Sequence, residues 1–168
     1  IEGEADPPRD VHGARAVDGG GAFSFFSLPT PGYSNATDLT EPSALLENLR
    51  ITELMYDPTG GSNAPEYVEL KNISAGLTLD LGGVRFSNGI DYTFPAGTML
   101  APGQFIVLTS NASGFQTRHG FAAFGAYLGK FDNSGERVRL EIGGYQLGIL
   151  DFTYSNAWYS IANSGGGA

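Results

Sequence analysis

The fold class is indicated first by a stretch of seven residues, Glu66-Tyr67-Val68-Glu69-Leu70-Lys71-Asn72. Val68 and Leu70 alternate with polar or aromatic residues, so the apolar side chains recur at every second position. Successive side chains of a β-strand point to opposite faces. The period of two therefore predicts a strand with one face buried and the other facing water.

Outward from this stretch, similar patterns recur on both sides. Further strands are predicted at residues 50–56, 79–87, 90–94, 104–109, 136–142 and 146–154. Asn88-Gly89 separates two of them and is a strong two-residue hairpin signal. The run Phe105-Ile106-Val107-Leu108 is continuously apolar, which favours a strand covered on both faces. Turn signals recur at the spacing of sandwiches, and no segment offers three sustained turns of helical period, so the sequence predicts an all-β sandwich.

The segments flanking this pattern differ in composition. Residues 1–48 are interpreted as a linker or the end of a preceding module, with residues 1–21 lacking any apolar period. At most one helical turn is expected at residues 41–48. Residues 49–158 are predicted to form the domain, and residues 159–168 a flexible tail. The start at Ile1, without an initiator Met or signal peptide, suggests a piece of a longer protein.

Charge and composition argue against several functions. The chain has 18 acidic and 9 basic residues and a formal net charge of -9, which disfavours binding to nucleic acid or anionic lipid. It has no cysteine, so disulfides, zinc–thiolate sites and thiol nucleophiles are excluded. No run of apolar residues approaches the roughly 20 that a transmembrane helix needs.

Six segments between residues 51 and 154, in the same order, resemble the strands and turns of the lamin tail domain family. They are Ile51 to Pro58, Glu66 to Asn72, Asp80-Leu81-Gly82-Gly83, Phe94 to Gly103, Asn133 to Leu140, and Asp151-Phe152-Thr153-Tyr154. The resemblance implies an immunoglobulin-like β-sandwich of seven to eight mostly antiparallel strands. It further implies the bacterial branch, whose members are appended to exported, often membrane-associated or hydrolytic proteins. The expected location is therefore extracellular, at the cell surface or in the periplasm.

Acidic residues are the first candidates for chemistry. Glu53, Asp57, Glu66 and Glu69 could converge at one edge and bind Ca²⁺, which takes six to eight oxygen ligands. Their spacing contains no Asp-x-Asp-x-Asp-Gly loop. The alternative is structural, with Glu53 and Glu66 bonded to backbone amides or bases and Glu69 facing water. The turn from Asp132 to Glu136 is oxygen-rich as well, but Asn, Ser and Gly are also the residues that turn geometry requires.

A catalytic triad is the second candidate. His119 is predicted to lie in a loop beside Arg118, and Ser110 and Ser113 are predicted to lie in an ordinary polar turn. No Gly-x-Ser-x-Gly nucleophile elbow is present. The sequence thus assigns no catalytic, cofactor-binding or metal-binding residue, no cofactor, and no small-molecule substrate.

Two hypotheses for function follow from the sequence. The first is a non-catalytic binding, tethering or structural module of a larger exported multi-domain protein. Its partner would be a protein or cell-surface component, possibly neighbouring domains of the same chain, with exposed strand edges as contact sites. The second is a Ca²⁺-dependent or carbohydrate-binding adhesion module. The second would be favoured if Tyr92, Tyr127 or Tyr145 lined one exposed face.

Overall fold

A computed structural model describes residues 12–17, 20–26, 42–60, 64–143 and 147–158. The chain divides into two compact units, Ile1–Thr40 and Glu41–Ala168. In the first unit, strands β1 (His12–Val17) and β2 (Gly20–Phe26) form an antiparallel hairpin. The sequence predicted no regular element for residues 1–21. Alternation is weak there because Gly and Ala provide little apolar contrast.

The second unit contains two sheets and a short ribbon. Its strands are β3 (Leu49–Met55), β4 (Tyr67–Asn72), β5 (Leu79–Asp80), β6 (Val84–Asn88), β7 (Ile90–Thr93), β8 (Met99–Leu100), β9 (Phe105–Thr109), β10 (Gly125–Ala126), β11 (Leu128–Gly129), β12 (Arg137–Ile142) and β13 (Leu147–Thr153). The strand order is β10-β9-β4-β3 in one sheet and β11-β7-β6-β12-β13 in the other, with β5 and β8 paired separately. Every pairing in the described part is antiparallel except β10 with β9.

The predicted fold class is confirmed. Among the described residues of this unit, seven strands have four residues or more, and the others have two. Val68 and Leu70 of β4 are buried against apolar residues of the opposite sheet, such as Phe86 and Leu140. Burial of these facing side chains is the main stabilising contribution to such a sandwich.

The hairpin predicted at Asn88-Gly89 forms between β6 and β7, with Phe86 opposite Tyr92. Gly89 has a φ of +89°, a value that side chains disfavour. A Cβ atom there would also lie 3.3 Å from Val138 Cγ2. The backbone conformation therefore favours glycine at this turn, and a side chain would also need Val138 to shift by a few tenths of an ångström. Strand β6 is shorter than the strand predicted at residues 79–87. Residues 79–80 form β5 instead and pair with β8.

Strand β9 is covered on both faces, as its continuous apolar run predicted. Ile106 and Leu108 lie in the core between the sheets. Val107 points to the other side, where it packs with Tyr67 and Phe115. Phe115 belongs to a helix, α2 (Ala112–His119), that the sequence reading missed.

Helix α2 was missed because it is short and has one buried residue, Phe115. A two-turn helix with a single buried position shows no helical period. Its signals are its caps: Asn111 accepts a hydrogen bond from the Gly114 N–H, and Gly120 ends the helix at a φ of +80°.

A second helix, α1 (Pro42–Asn48), precedes β3. The sequence predicted at most one turn here and placed residues 1–48 outside the domain. Leu45 is only 3% exposed and belongs to the core between the sheets. The packed unit therefore includes α1. A 3-10 helix, Asn156–Trp158, follows β13.

Candidate functional site

The four acids proposed for Ca²⁺ do not form a shared site. Glu53 Oε1 accepts a hydrogen bond from the Tyr67 hydroxyl at 2.5 Å, and Glu69 Oε1 accepts one from Thr52 at 2.6 Å. Asp57 accepts one from the Asn133 amide at 2.7 Å. Within the described part of the chain, no group of three or more His, Cys, Asp or Glu side chains is placed to hold a metal ion.

Glu66 connects the start of β4 to two other segments. Its Oε2 accepts hydrogen bonds from the Phe131 N–H at 2.9 Å and from the Tyr127 hydroxyl at 3.4 Å. Its backbone carbonyl accepts one from Thr109 Oγ1 at 2.7 Å. Burial raises the pKa of Glu66, and the Phe131 and Tyr127 bonds reduce that rise without cancelling it. The structural interpretation of Glu66, an acceptor for a backbone amide, agrees with this arrangement.

Tyr92 and Tyr127, the two described residues among those named for a carbohydrate platform, are not arranged as one. Tyr127 is buried, and its burial together with Glu66 raises the pKa of its hydroxyl. Tyr92 is half-buried and packs edge-on against Phe94. Tyr145 lies outside the described residues.

The side-chain oxygens of Asp132 and Glu136 accept hydrogen bonds from other groups of the Asp132–Glu136 turn. Asp132 Oδ1 accepts hydrogen bonds from the Ser134 N–H and hydroxyl at 2.8 and 2.6 Å, and these lower the pKa of Asp132. Glu136 Oε1 accepts one from the Asp132 N–H at 2.8 Å. The Tyr154 hydroxyl donates to the Asp132 carbonyl at 2.6 Å, which fastens the turn to the end of β13.

His119 is the last residue of α2, so its predicted position in a loop was wrong. Its ring stacks on Phe115 with 4.4 Å between centroids and lies edge-on to Tyr67 at 5.3 Å. Ser110 Oγ accepts from the Glu66 N–H, and the Ser113 hydroxyl donates to Asn111. None of these contacts joins the histidine to a serine, and a nucleophile needs a base within hydrogen-bond reach.

A shallow depression of about 440 Å³ lies beside α2. Its charged lining residue is Arg118, whose guanidinium donates to the Thr59 carbonyl at 2.7 Å. The depression is wide open to solvent, and its described lining residues include no carboxylate or imidazole. It therefore brings together no acid–base pair.

Charged side chains cover the outer face of the five-stranded sheet. Glu141 of β12 lies on this face, yet it is only 3% exposed. Arg85 and Arg139 cover it, with N–O distances of 2.6 and 2.9 Å. Burial alone would raise the pKa of Glu141, but the bonds from Arg85 and Ser87 and the two arginine charges outweigh burial and lower it. Asp151 of β13 is paired with Arg137 at 2.6 Å on the same face.

Exposed apolar residues follow α2 in the chain. The segment from Gly120 to Gly129 contains no charged residue. Three of its large side chains are exposed: Phe121 by 53%, Phe124 by 49% and Leu128 by 72%. We call these three residues the apolar surface. Sequence reasoning missed it, although ten consecutive uncharged residues with two phenylalanines were a visible signal.

The fold is that of an immunoglobulin-like β-sandwich domain. The family model described as Lamin Tail Domain matches residues 42–151, which is more than half of the chain. The chain belongs to the lamin tail domain family. Comparisons with curated proteins and with solved structures find no match.

The family is one of non-enzymatic, immunoglobulin-like domains of the protein-interaction or structural type. The match begins at residue 42, where α1 begins. Neither α-helix of the described part has the length and the apolar run that a membrane-crossing helix requires.

Proposed function

We propose that this chain is a non-catalytic protein-binding or tethering module of a larger exported multi-domain protein. Its location would be extracellular, at the cell surface or in the periplasm, as its resemblance to the bacterial branch suggests. Its acidic and hydroxyl side chains maintain the fold, because the carboxylates of Glu53, Glu66 and Glu69 accept hydrogen bonds from neighbouring strands and loops. Recognition then rests on the surface of the sandwich.

The apolar surface is the observation that carries this proposal. Aromatic side chains are enriched in the buried centres of protein interfaces, and charged residues are depleted there. Phe121 packs edge-on against Phe115 at 5.2 Å, and Phe124 lies 6.1 Å from Phe94, so both rings are supported from below while their outer halves face water. Rings fixed in this way lose little side-chain entropy on binding.

A competition experiment tests the proposal. The full 168-residue chain is immobilised and exposed to the extracellular and envelope fractions of the source cells. Soluble wild-type chain should compete for the captured protein, whereas a Phe121→Ser/Phe124→Ser chain should compete about tenfold less well, since central aromatic residues carry much of the binding energy. An Ile73→Ser/Leu77→Ser chain is the matched control, because these residues are equally exposed but lie elsewhere in the sequence.

Equal competition by the two double variants would contradict a role for the apolar surface. Failure to capture any protein that wild-type chain displaces would contradict the protein-binding function itself. Circular dichroism of each variant at the working temperature confirms that the competitors are folded.

A further inference from the structure

The outer faces of the two sheets differ in how charges meet across strands. On the five-stranded sheet, opposite charges stand directly across from each other: Arg85 of β6 faces Glu141 of β12, and Arg139 of β12 faces Asp151 of β13. Each of these carboxylates also lies within 4.0 Å of an arginine. Both carboxylates of this face are therefore paired with arginines of the same sheet.

On the four-stranded sheet, like charges stand across from each other. Arg50 of β3 faces Lys71 of β4, and Glu53 faces Glu69. No salt bridge among the described residues joins any of these four side chains to an opposite charge. Like charges directly opposite on neighbouring strands are destabilising.

The contacts that these side chains do make leave their charges unpaired. Arg50 uses Nη1 to donate to the carbonyls of Leu46 and Leu49, both at 2.8 Å. The Lys71 ammonium lies 4.4 Å from the centroid of the Phe105 ring. Glu53 and Glu69 accept from hydroxyls, which carry no charge. A guanidinium has five N–H donors, so Arg50 retains donors for a further acceptor.

Strand β3 is the edge of this sheet: within the described residues, its one hydrogen-bonded neighbour is β4. The register shifts between Ile51 and Glu53, so Thr52 is an extra residue in the strand. This irregularity places Arg50 and Glu53 on the same outer face, although three positions separate them. Charges and bulges on an edge prevent pairing with arbitrary strands. The edge is thus suited to a partner with a complementary charge pattern.

The pattern along this edge is complementary to itself. In chain order it runs from a base, Arg50, to an acid, Glu53, and the neighbouring strand repeats it with Lys71 beside Arg50 and Glu69 beside Glu53. An antiparallel copy of the same strand presents the acid opposite the base and the base opposite the acid. A two-fold axis produces this kind of self-complementary contact.

We propose that β3 pairs with β3 of a second copy of this chain, antiparallel and around a two-fold axis between Arg50 and Glu53. Each Arg50 then faces Glu53 of the other copy, and the two four-stranded sheets join into one. A single strand edge buries less surface than a stable obligate dimer requires, so the dimer forms reversibly. Because its specificity comes from exposed charges, added salt weakens it.

Sedimentation equilibrium of the full chain, at concentrations up to about 1 mM, tests the proposal. Wild-type chain should self-associate. Arg50→Glu and Glu53→Arg should each weaken dimerisation by about tenfold or more, because each places like charges in contact twice. An equimolar mixture of the two variants should restore association as a heterodimer, and the Arg50→Glu/Glu53→Arg double variant should restore it as a homodimer.

The controls are Lys130→Glu and Asp91→Arg, which make the same charge changes at exposed positions away from β3. They should leave the dissociation constant within about twofold of the wild-type value, because neither residue belongs to the four-stranded sheet whose edge forms the proposed contact. A wild-type chain that stays monomeric throughout overturns the proposal. So does a mixture of the two β3 variants that fails to associate, because general loss of folding or charge cannot be reversed by mixing.

Discussion

Glu66 and Glu141 are both carboxylates withdrawn from water, but their surroundings shift their pKa values in opposite directions. Glu66 meets hydrogen-bond donors but, among the described residues, no salt-bridged base, so burial dominates and raises its pKa. Glu141 lies between Arg85 and Arg139, and together with the hydrogen bonds from Arg85 and Ser87 they outweigh its burial and lower its pKa. The two residues should therefore make opposite contributions to the dependence of stability on pH.

For Glu66, the folded state binds a proton more tightly than the unfolded state does. The contribution of Glu66 to the free energy of unfolding therefore rises as the pH falls through the raised folded pKa towards the unfolded value of about 4.3. We predict that the unfolding free energy of wild-type chain, relative to Glu66→Gln, increases on acidification from about pH 7 to about pH 5. Urea unfolding of both chains at several pH values measures this difference. A difference that is flat or decreases would contradict the environment described for Glu66.

For Glu141, the stabilising contribution is present above the unfolded pKa and is lost as the pH falls through the lowered folded pKa. Glu141→Gln leaves Arg85 and Arg139 without their shared carboxylate. It should lower the free energy of unfolding by about 2 kcal/mol near pH 7. This is less than removal of one partner from a fully buried pair, because the arginines keep contact with water. The loss should begin to shrink below about pH 4, where the Glu141 carboxyl of the unfolded chain takes up a proton, and it should vanish once the pH falls through the lowered folded pKa. Glu47→Gln, at an exposed position of α1, is the control and should change stability by less than about 0.5 kcal/mol.

At the scale of elements, α2 and β9 each cover an apolar side chain of the other. Val107 would be an exposed apolar residue in a sandwich without a helix, and Phe115 would have no surface to cover. The continuous apolar run in β9 predicted cover on both faces but did not identify α2 as the cover. A strand pattern specifies that a second surface is buried, not which segment buries it.

Removal of the Phe115 ring should separate α2 from the sheet. Phe115→Ala should lower the free energy of unfolding by about 3 kcal/mol, the lower end of the usual range for a buried phenylalanine. Amide hydrogen exchange should become fast in residues 112–119 while β4 and β12 stay protected, because the core between the sheets does not include Phe115. Gln116→Ala, at an exposed position of the same helix, serves as control. Uniformly faster exchange in both sheets would show that α2 is part of the main core instead.

At the scale of the whole molecule, the sequence could predict the sandwich because alternation, turns and order of segments agreed. It could not predict the placement of α1 in the core, since Leu45 lies in a segment too short to show a helical period. It could not predict the burial of Glu141 either, because that depends on Arg85, which is distant in sequence and adjacent only through strand pairing. The sequence could name candidate acids, but whether they converge is decided by the register of the strands.

The remaining difference between the two sequence hypotheses concerns the role of these acids. In the structural account, hydrogen bonds within the fold occupy the carboxylates of Glu53, Asp57, Glu66 and the Asp132–Glu136 turn. Ca²⁺ then has no site at which to bind and stabilise the folded chain. An ion that binds only the folded chain at a hundred times its dissociation constant would add about 2.7 kcal/mol of stability, or several degrees in the midpoint of unfolding. The melting temperature of the full chain in millimolar Ca²⁺ and in excess EDTA measures this directly. We predict the same melting temperature in both, and a rise of several degrees in Ca²⁺ would contradict the structural role of the carboxylates and favour an ion-dependent adhesion module.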